Sequence, residues 1–285
     1  MSLAVFAQNH PRLITLGIRL DRAPAAGWLA LQAAALMPHW VWMARRLTDG
    51  SDDPLGLLAL AALAALMWTL RRELRPTPRL GWLALAASGT LSTALLRTGI
   101  GPLPALPPLA AALVAVLALA CGPLAFLPRR MAGPPVALLA VLALPLLSSL
   151  QFYAGYPLRV VTAEASRWLL MAGFEVLREG SSLVVDGQLV IVDAPCSGVQ
   201  MAWFGYFTAS VAALWAGRAG RSFVARLPVV SLLVLGGNIA RNAVLVALEA
   251  ASHAPGWIHE SIGLAALALV CGGVARVMVG ARGLT

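Results

Sequence analysis

Lysine is absent from this chain, and all 21 basic residues are arginine. Acidic residues number only 12, and charged residues together make up 12% of the sequence. A water-soluble domain carries about 25% charged residues, so an ordinary soluble protein is excluded. Cysteine is scarce too: Cys121, Cys196 and Cys271 are the only three. An odd number at wide separations supplies no disulfide framework. No Cys/His cluster has metal-ligand spacing, so no metal and no other cofactor is expected. A secretory leader is not recognisable, because the first apolar stretch, Leu13 to Leu20, is short and contains Arg19. That stretch reads as an interfacial amphipathic segment.

What the chain has in abundance is apolar residues, 60% of the total, with a mean hydropathy of +0.81. They gather in runs near the roughly 17–25 residues that a helix needs to cross a bilayer. The expectation is an all-α polytopic membrane protein of about eight helices: Pro24–Ala44, Pro54–Leu70, Leu80–Leu96, Leu103–Leu127, Pro134–Gln151, Cys196–Ala216, Ser222–Glu249 and Ile258–Gly280. The net charge of +9 does not point to nucleic acid, because the arginines sit in short loops between apolar runs, as topology determinants do. With the N-terminus inside, the inner segments hold Arg12, Arg19, Arg22, Arg71, Arg72, Arg75, Arg79, Arg129, Arg130, Arg218, Arg221, Arg226, Arg276 and Arg282. The outer segments hold Arg45, Arg46, Arg97, Arg159, Arg167 and Arg178. Fourteen against six favours both termini in the cytoplasm.

The one long connection, Phe152 to Pro195, then lies outside. Leu158, Val161, Ala165, Trp168 and Ala172 recur at helical spacing from Pro157 to Gly173, which suits a helix lying in the membrane interface. After it, Leu183-Val-Val, Asp186-Gly187 and Gln188-Leu-Val-Ile-Val spell a hairpin, since Asp-Gly between β-branched runs supplies the turn. A small β-meander is expected there, feeding directly into Cys196. The domain organisation follows: 1–23 is a cytoplasmic or interfacial segment, 24–151 an N-terminal set of membrane helices, 152–195 the outer amphipathic helix and β-hairpin, and 196–285 the helices that carry the chemistry.

Three segments could carry that chemistry. In Asp193-Ala-Pro-Cys196-Ser197-Gly198, Pro195 suits the first turn of a helix, which would put Cys196 among exposed N–H groups that favour thiolate. The plain alternative is a small buried apolar residue. In Asn238-Ile-Ala-Arg241-Asn242, a charge inside a span costs at least ~2.5 kcal/mol on insertion scales. Arg241 stands eight residues, about 12 Å, from the outer end of its span. Asn238 lies one turn away on the same face; the alternative is a snorkelling arginine. The third segment is His259-Glu-Ser-Ile-Gly263, with His253 nearby and equally placed by composition. On the topology above, Cys196, Arg241 and His259 all fall near the outer face on consecutive spans. A nucleophile, an oxyanion-stabilising cation and a proton carrier form a complete acyl-transfer set.

Cys196-Ser197-Gly198, Asn238-Ile-Ala-Arg241 and His259-Glu-Ser-Ile-Gly263 resemble, in order and spacing, the hallmarks of the exosortase/archaeosortase family. The likeness runs from about Pro157 to Gly273. Pro195 stands where relatives often have a small residue, and Gln200 where many bacterial members carry arginine. The resemblance implies Cys196, Arg241 and His259 as catalytic residues, with Asn238, Ser197 and Gly198 in support, and selects His259 over His253. It implies a cysteine protease or transpeptidase of the bacterial inner membrane, its site facing outward. Its partners would be exported proteins with a C-terminal sorting signal: a short motif, a transmembrane helix and a basic tail. The family is associated with exopolysaccharide-producing bacteria. A different class of function fits the same composition: a non-catalytic membrane component of polysaccharide or lipid export, with Arg241 holding a phosphate or carboxylate.

Overall fold

The computed structural model describes residues 24–48, 50, 54–98, 107–191, 197–218, 220–252 and 255–280. Within them lie α1 (Ala25–Ala35), α2 (Met37–Thr48), α3 (Gly56–Thr69), α4 (Leu80–Thr98), α5 (Pro108–Phe126), α6 (Gly133–Leu142) and α7 (Leu147–Leu170). Three strands follow, β1 (Val176–Glu179), β2 (Ser182–Val185) and β3 (Gln188–Ile191), and then α8 (Val199–Trp215), α9 (Gly220–Ser252) and α10 (Gly256–Val279). The chain is therefore mostly helical with one small sheet. Three helices, α5, α9 and α10, are long and apolar enough to cross a membrane. The pair α6 and α7 makes a fourth candidate if it counts as one span bent by 93°. The apolar helices α1, α3 and the Leu80–Leu95 part of α4 are shorter.

Prolines set two boundaries that differ from the sequence expectation. The run Pro24–Ala44 is two helices broken at Leu36, because Pro38 has no N–H to bond back to residue 34. The run Pro134–Gln151 ends early, at Leu142, and a new helix starts at Leu147, past Pro145. That helix then continues without interruption through Pro157 to Leu170, so the end of the expected span and the expected interfacial helix are one element.

The chain divides into two compact units, residues 1–45 with 60–131, and residues 46–59 with 132–285. In the first, α1, α4 and α5 pack together. Gln32 ties them, its carboxamide donating to the Ala118 carbonyl at 2.7 Å and to Thr90 Oγ1 at 3.4 Å. The arginine-rich segment after α3 closes the end of α5. Arg75 N–H donates to Phe126 O at 2.8 Å, Arg79 N–H to Ala125 O at 2.9 Å, and the Arg79 guanidinium to the Leu124 and Leu127 carbonyls. The last carbonyls of a helix have no intrahelical partner and carry partial negative charge. Arg79 thus caps a helix.

In the second unit the β-meander matches its expectation. Its strands pair antiparallel in the order β1-β2-β3, with Val176 opposite Val185 and Val185 opposite Gln188. Asp186 and Gly187, at φ 49° and 83°, make the two-residue turn, the left-handed pair that a type I′ hairpin requires. Val176, Leu183 and Val185 point inward onto Ala163 and Leu170 of α7 and Ala243 and Val246 of α9. Glu164 of α7 bridges Arg167 at 2.7 Å and Arg178 of β1 at 2.6 Å, fastening the sheet to the helix from outside. α7 turns Trp168 and Val161 outward, 64% and 50% exposed, and buries Thr162, Ala163 and Ser166. The apolar stripe read from the sequence is thus its outer surface. Below the sheet, α8, α9 and α10 share a core of Met201, Ala209, Phe223, Val234, Val270 and Val274. Side-chain-free positions bring these helices close: Gly205 lies under Val234 and Gly237 under Val270.

Candidate active site

Three helix segments supply the site, and each contributes a glycine or a polar side chain to a common contact. α8 begins at Val199, later than the start at Cys196 expected from the sequence. The residue before it, Gly198, is left-handed at φ 82°, a conformation that interrupts a right-handed helix. Cys196 itself, with 192–195, lies outside the described residues, as does His253. Ser197 is buried, 4% exposed. Its hydroxyl accepts the Val199 N–H at 3.3 Å and donates to Oε1 of Gln151 on α7 at 2.8 Å. One of the donors at the helix start is thereby satisfied.

Gly198 rests directly on Asn238 of α9. A Cβ at Gly198 would lie 2.8 Å from Asn238 Nδ2 and 2.9 Å from its Cγ. Asn238 is 2% exposed; its side-chain amide donates to Thr162 Oγ1 at 3.3 Å, and its backbone carbonyl accepts from Asn242 Nδ2 at 2.8 Å. Arg241, one turn further along α9, meets the second glycine. A Cβ at Gly263 would lie 3.3 Å from Arg241 Nε and 3.4 Å from Nη2. The guanidinium therefore lies against α10 where its backbone is bare. His259 is one turn before Gly263 on α10, about 6 Å along the axis, and is exposed at the start of that helix.

Beside Arg241 a cavity of about 220 Å³ opens between α8, α9 and α10. Gln200, Asn238, Arg241 and Gly263 form its polar side, and Met201, Phe204, Leu264 and Leu267 its apolar side. Hydrogen-bond donors held among apolar walls act in a lowered dielectric, where their effect on developing negative charge exceeds that in water. Such a site suits a carbonyl oxygen that becomes an oxyanion. The structure thus brings Gly198, Asn238, Arg241 and Gly263 together, while His259 lies outside the cavity lining. The sequence reading did not single out Gln151 or Thr162 as site residues. Their only local signal is polarity: Gln151 closes an apolar run, and Thr162 sits off the outward stripe of α7.

No curated protein and no solved structure matches this chain. The family described as Transmembrane exosortase (Exosortase_EpsH) matches residues 42–275, which span all three motif segments. With most of its length matched, the chain belongs to the transmembrane exosortase family.

Proposed function

We propose that this protein is a membrane-embedded cysteine peptidase or transpeptidase that cleaves C-terminal sorting signals from exported proteins. It would act in the bacterial inner membrane as a bundle of about eight spans, with both termini in the cytoplasm and the site facing outward. Its substrates would carry a short motif, a transmembrane helix and a basic tail. The Cys196 thiolate attacks the scissile carbonyl carbon, and the carbonyl electron pair moves onto oxygen. Arg241 donates hydrogen bonds to that oxyanion. When the tetrahedral intermediate collapses, the C–N bond breaks and His259 delivers a proton to the departing amine. A thioester to Cys196 remains. An amine, a hydroxyl or water then attacks it, giving its proton to His259, and the C–S bond breaks to release the Cys196 thiolate.

One observation carries this reading: the glycines of two motifs rest on the polar residues of the third. Gly198 touches Asn238, and Gly263 touches Arg241. Cys196 is two residues from Gly198, so covalent geometry keeps it within about 7 Å of that glycine along the chain. His259 stands one turn before Gly263, so helical spacing puts the two on one face of α10.

The test is processing of reporter proteins bearing candidate C-terminal signals, followed in cells as the ratio of full-length to cleaved product, with enzyme abundance checked by blot. Cys196→Ala should abolish cleavage. Arg241→Lys should accumulate normally yet process at least about 100-fold more slowly, because a single ammonium replaces the planar fork. Processing that survives Cys196→Ala would refute the enzyme. Near-normal processing by Arg241→Lys would reduce Arg241 to a structural residue.

A further inference from the structure

Gln151 lies 46 residues before Ser197 and belongs to no motif. It sits in the first turns of α7, and its carboxamide folds back along the helix over Gly155. A Cβ at Gly155 would lie 3.0 Å from Gln151 Cδ and 3.1 Å from Nε2, so the bare position one turn on makes room for that side chain. From there Oε1 accepts the Ser197 hydroxyl at 2.8 Å. The same hydroxyl accepts the Val199 N–H that opens α8. One carboxamide therefore anchors the residue bonded directly to Cys196, and does so from a helix that also holds Asn238 through Thr162. α7 makes both hydrogen bonds, one on each side of Gly198.

We propose that Gln151 is a positioning residue: through Ser197 it fixes the backbone immediately after Cys196 against the start of α8. This rests on the catalytic reading of Cys196. The physical argument is geometric. Gly198 is left-handed and has no side chain, so nothing at that position itself holds the turn. Ser197 is the last side chain before it, and its hydroxyl bond to Gln151 ties the turn to α7. On the catalytic reading the thiol would be held where N–H groups favour thiolate, and releasing Ser197, the residue bonded to it, would let it drift from them.

The test uses the full-length protein in detergent and a charged methanethiosulfonate reagent, with modification of each cysteine followed by mass spectrometry across pH. Gln151→Met keeps the size and removes the acceptor. Ser197→Ala removes the donor. Gln151→Met should slow Cys196 modification at pH 7 about 5-fold, the typical worth of one hydrogen bond, and Ser197→Ala, which also frees the Val199 N–H, by at least as much; both should move the midpoint of the pH profile upward. The double variant should be slowed no further than Ser197→Ala alone, because that change has already removed the bond to Gln151. Losses that multiply in the double variant, or single variants with unchanged rate and midpoint, would overturn the assignment. A parent Cys196 no more reactive than an ordinary exposed thiol would instead count against the catalytic reading. The cycle of variants still reports separately on whether Gln151 holds the turn.

Discussion

Replacing Gly198 by alanine tests the central contact of the site, and its effect can be worked from two independent terms. The first is backbone. At φ 82° an L-residue brings its Cβ against the following carbonyl, at about 1–2 kcal/mol. The second is packing. The new methyl would sit 2.8 Å from Asn238 Nδ2 and 2.9 Å from Cγ, well inside van der Waals contact. The Asn238 carboxamide has little room to retreat, being on a residue 2% exposed and bonded to Thr162. Overpacking of this kind costs about 1–3 kcal/mol. Together the terms come to roughly 2–5 kcal/mol, and a domain of this size loses about 2–4 °C in Tm per kcal/mol. Gly198→Ala should therefore lower the unfolding temperature in detergent, followed by tryptophan fluorescence, by about 5–15 °C.

Two companions make the prediction sharp. Gly236→Ala adds the same methyl to α9, where nothing lies within 4 Å; it should be neutral or slightly stabilising, since alanine is the better helix former. Gly198→Ala combined with Asn238→Ala removes the overlapping carboxamide but leaves the left-handed strain. The pair should be less damaging than the sum of the two single changes, with a coupling of about 1–3 kcal/mol. If Gly198→Ala behaves like Gly236→Ala, or if its effect adds to that of Asn238→Ala, the contact between the two motifs does not hold the site.

Further outcomes follow from other parts of the molecule. A periplasm-active reporter fused after Gly187 should work, while fusions after Arg130 or Arg218 should work only with a cytoplasm-active reporter; the reverse pattern would invert the topology. The Arg218 guanidinium donates to the Met278 and Val279 carbonyls at the end of α10, and bonds from a charged donor contribute about 1.5–3 kcal/mol. Arg218→Lys, which cannot fork across two carbonyls, should lower Tm by about 3–10 °C, whereas the exposed Arg221→Lys should not change it; equal behaviour would make Arg218 a topology marker only.

Much of this architecture was legible because it is local. Asp186-Gly187 between β-branched runs names its own turn, and the structure has a type I′ pair there. The Asn238–Arg241 spacing puts both side chains on one face of α9 by helical arithmetic alone. What the sequence hid depends on choices among similar signals. Pro123, Pro157 and Pro228 lie inside helices, while helices break beside Pro38 and Pro145. Each proline removes one backbone bond; whether the helix survives depends on what packs around the freed carbonyl, which no local pattern records. The arginine count likewise read Arg79 and Arg218 as charges in loops. Their capping of α5 and α10 depends on segments folding back onto helix ends far along the chain.

The site shows the same divide at higher resolution. A motif of the form Cys-Ser-Gly reads as chemistry followed by two small residues, and nothing in it says why the glycine is needed. The geometry supplies two reasons at once: a left-handed backbone and a surface against which a buried carboxamide can press. The glycine of His-x-x-x-Gly has a different reason, since it gives the Arg241 guanidinium a bare stretch of helix to lie on. An intramembrane arginine needs polar company and a defined position, and a side chain at residue 263 would displace it by some tenths of an ångström or more. Catalytic geometry tolerates little such displacement, because donors act on an oxyanion only over hydrogen-bond distances. On the proposed mechanism the polar residues would do the chemistry, and the glycines would set the distances at which they do it. That division would explain why two of the three motifs carry a glycine, two residues after Cys196 and one helical turn after His259.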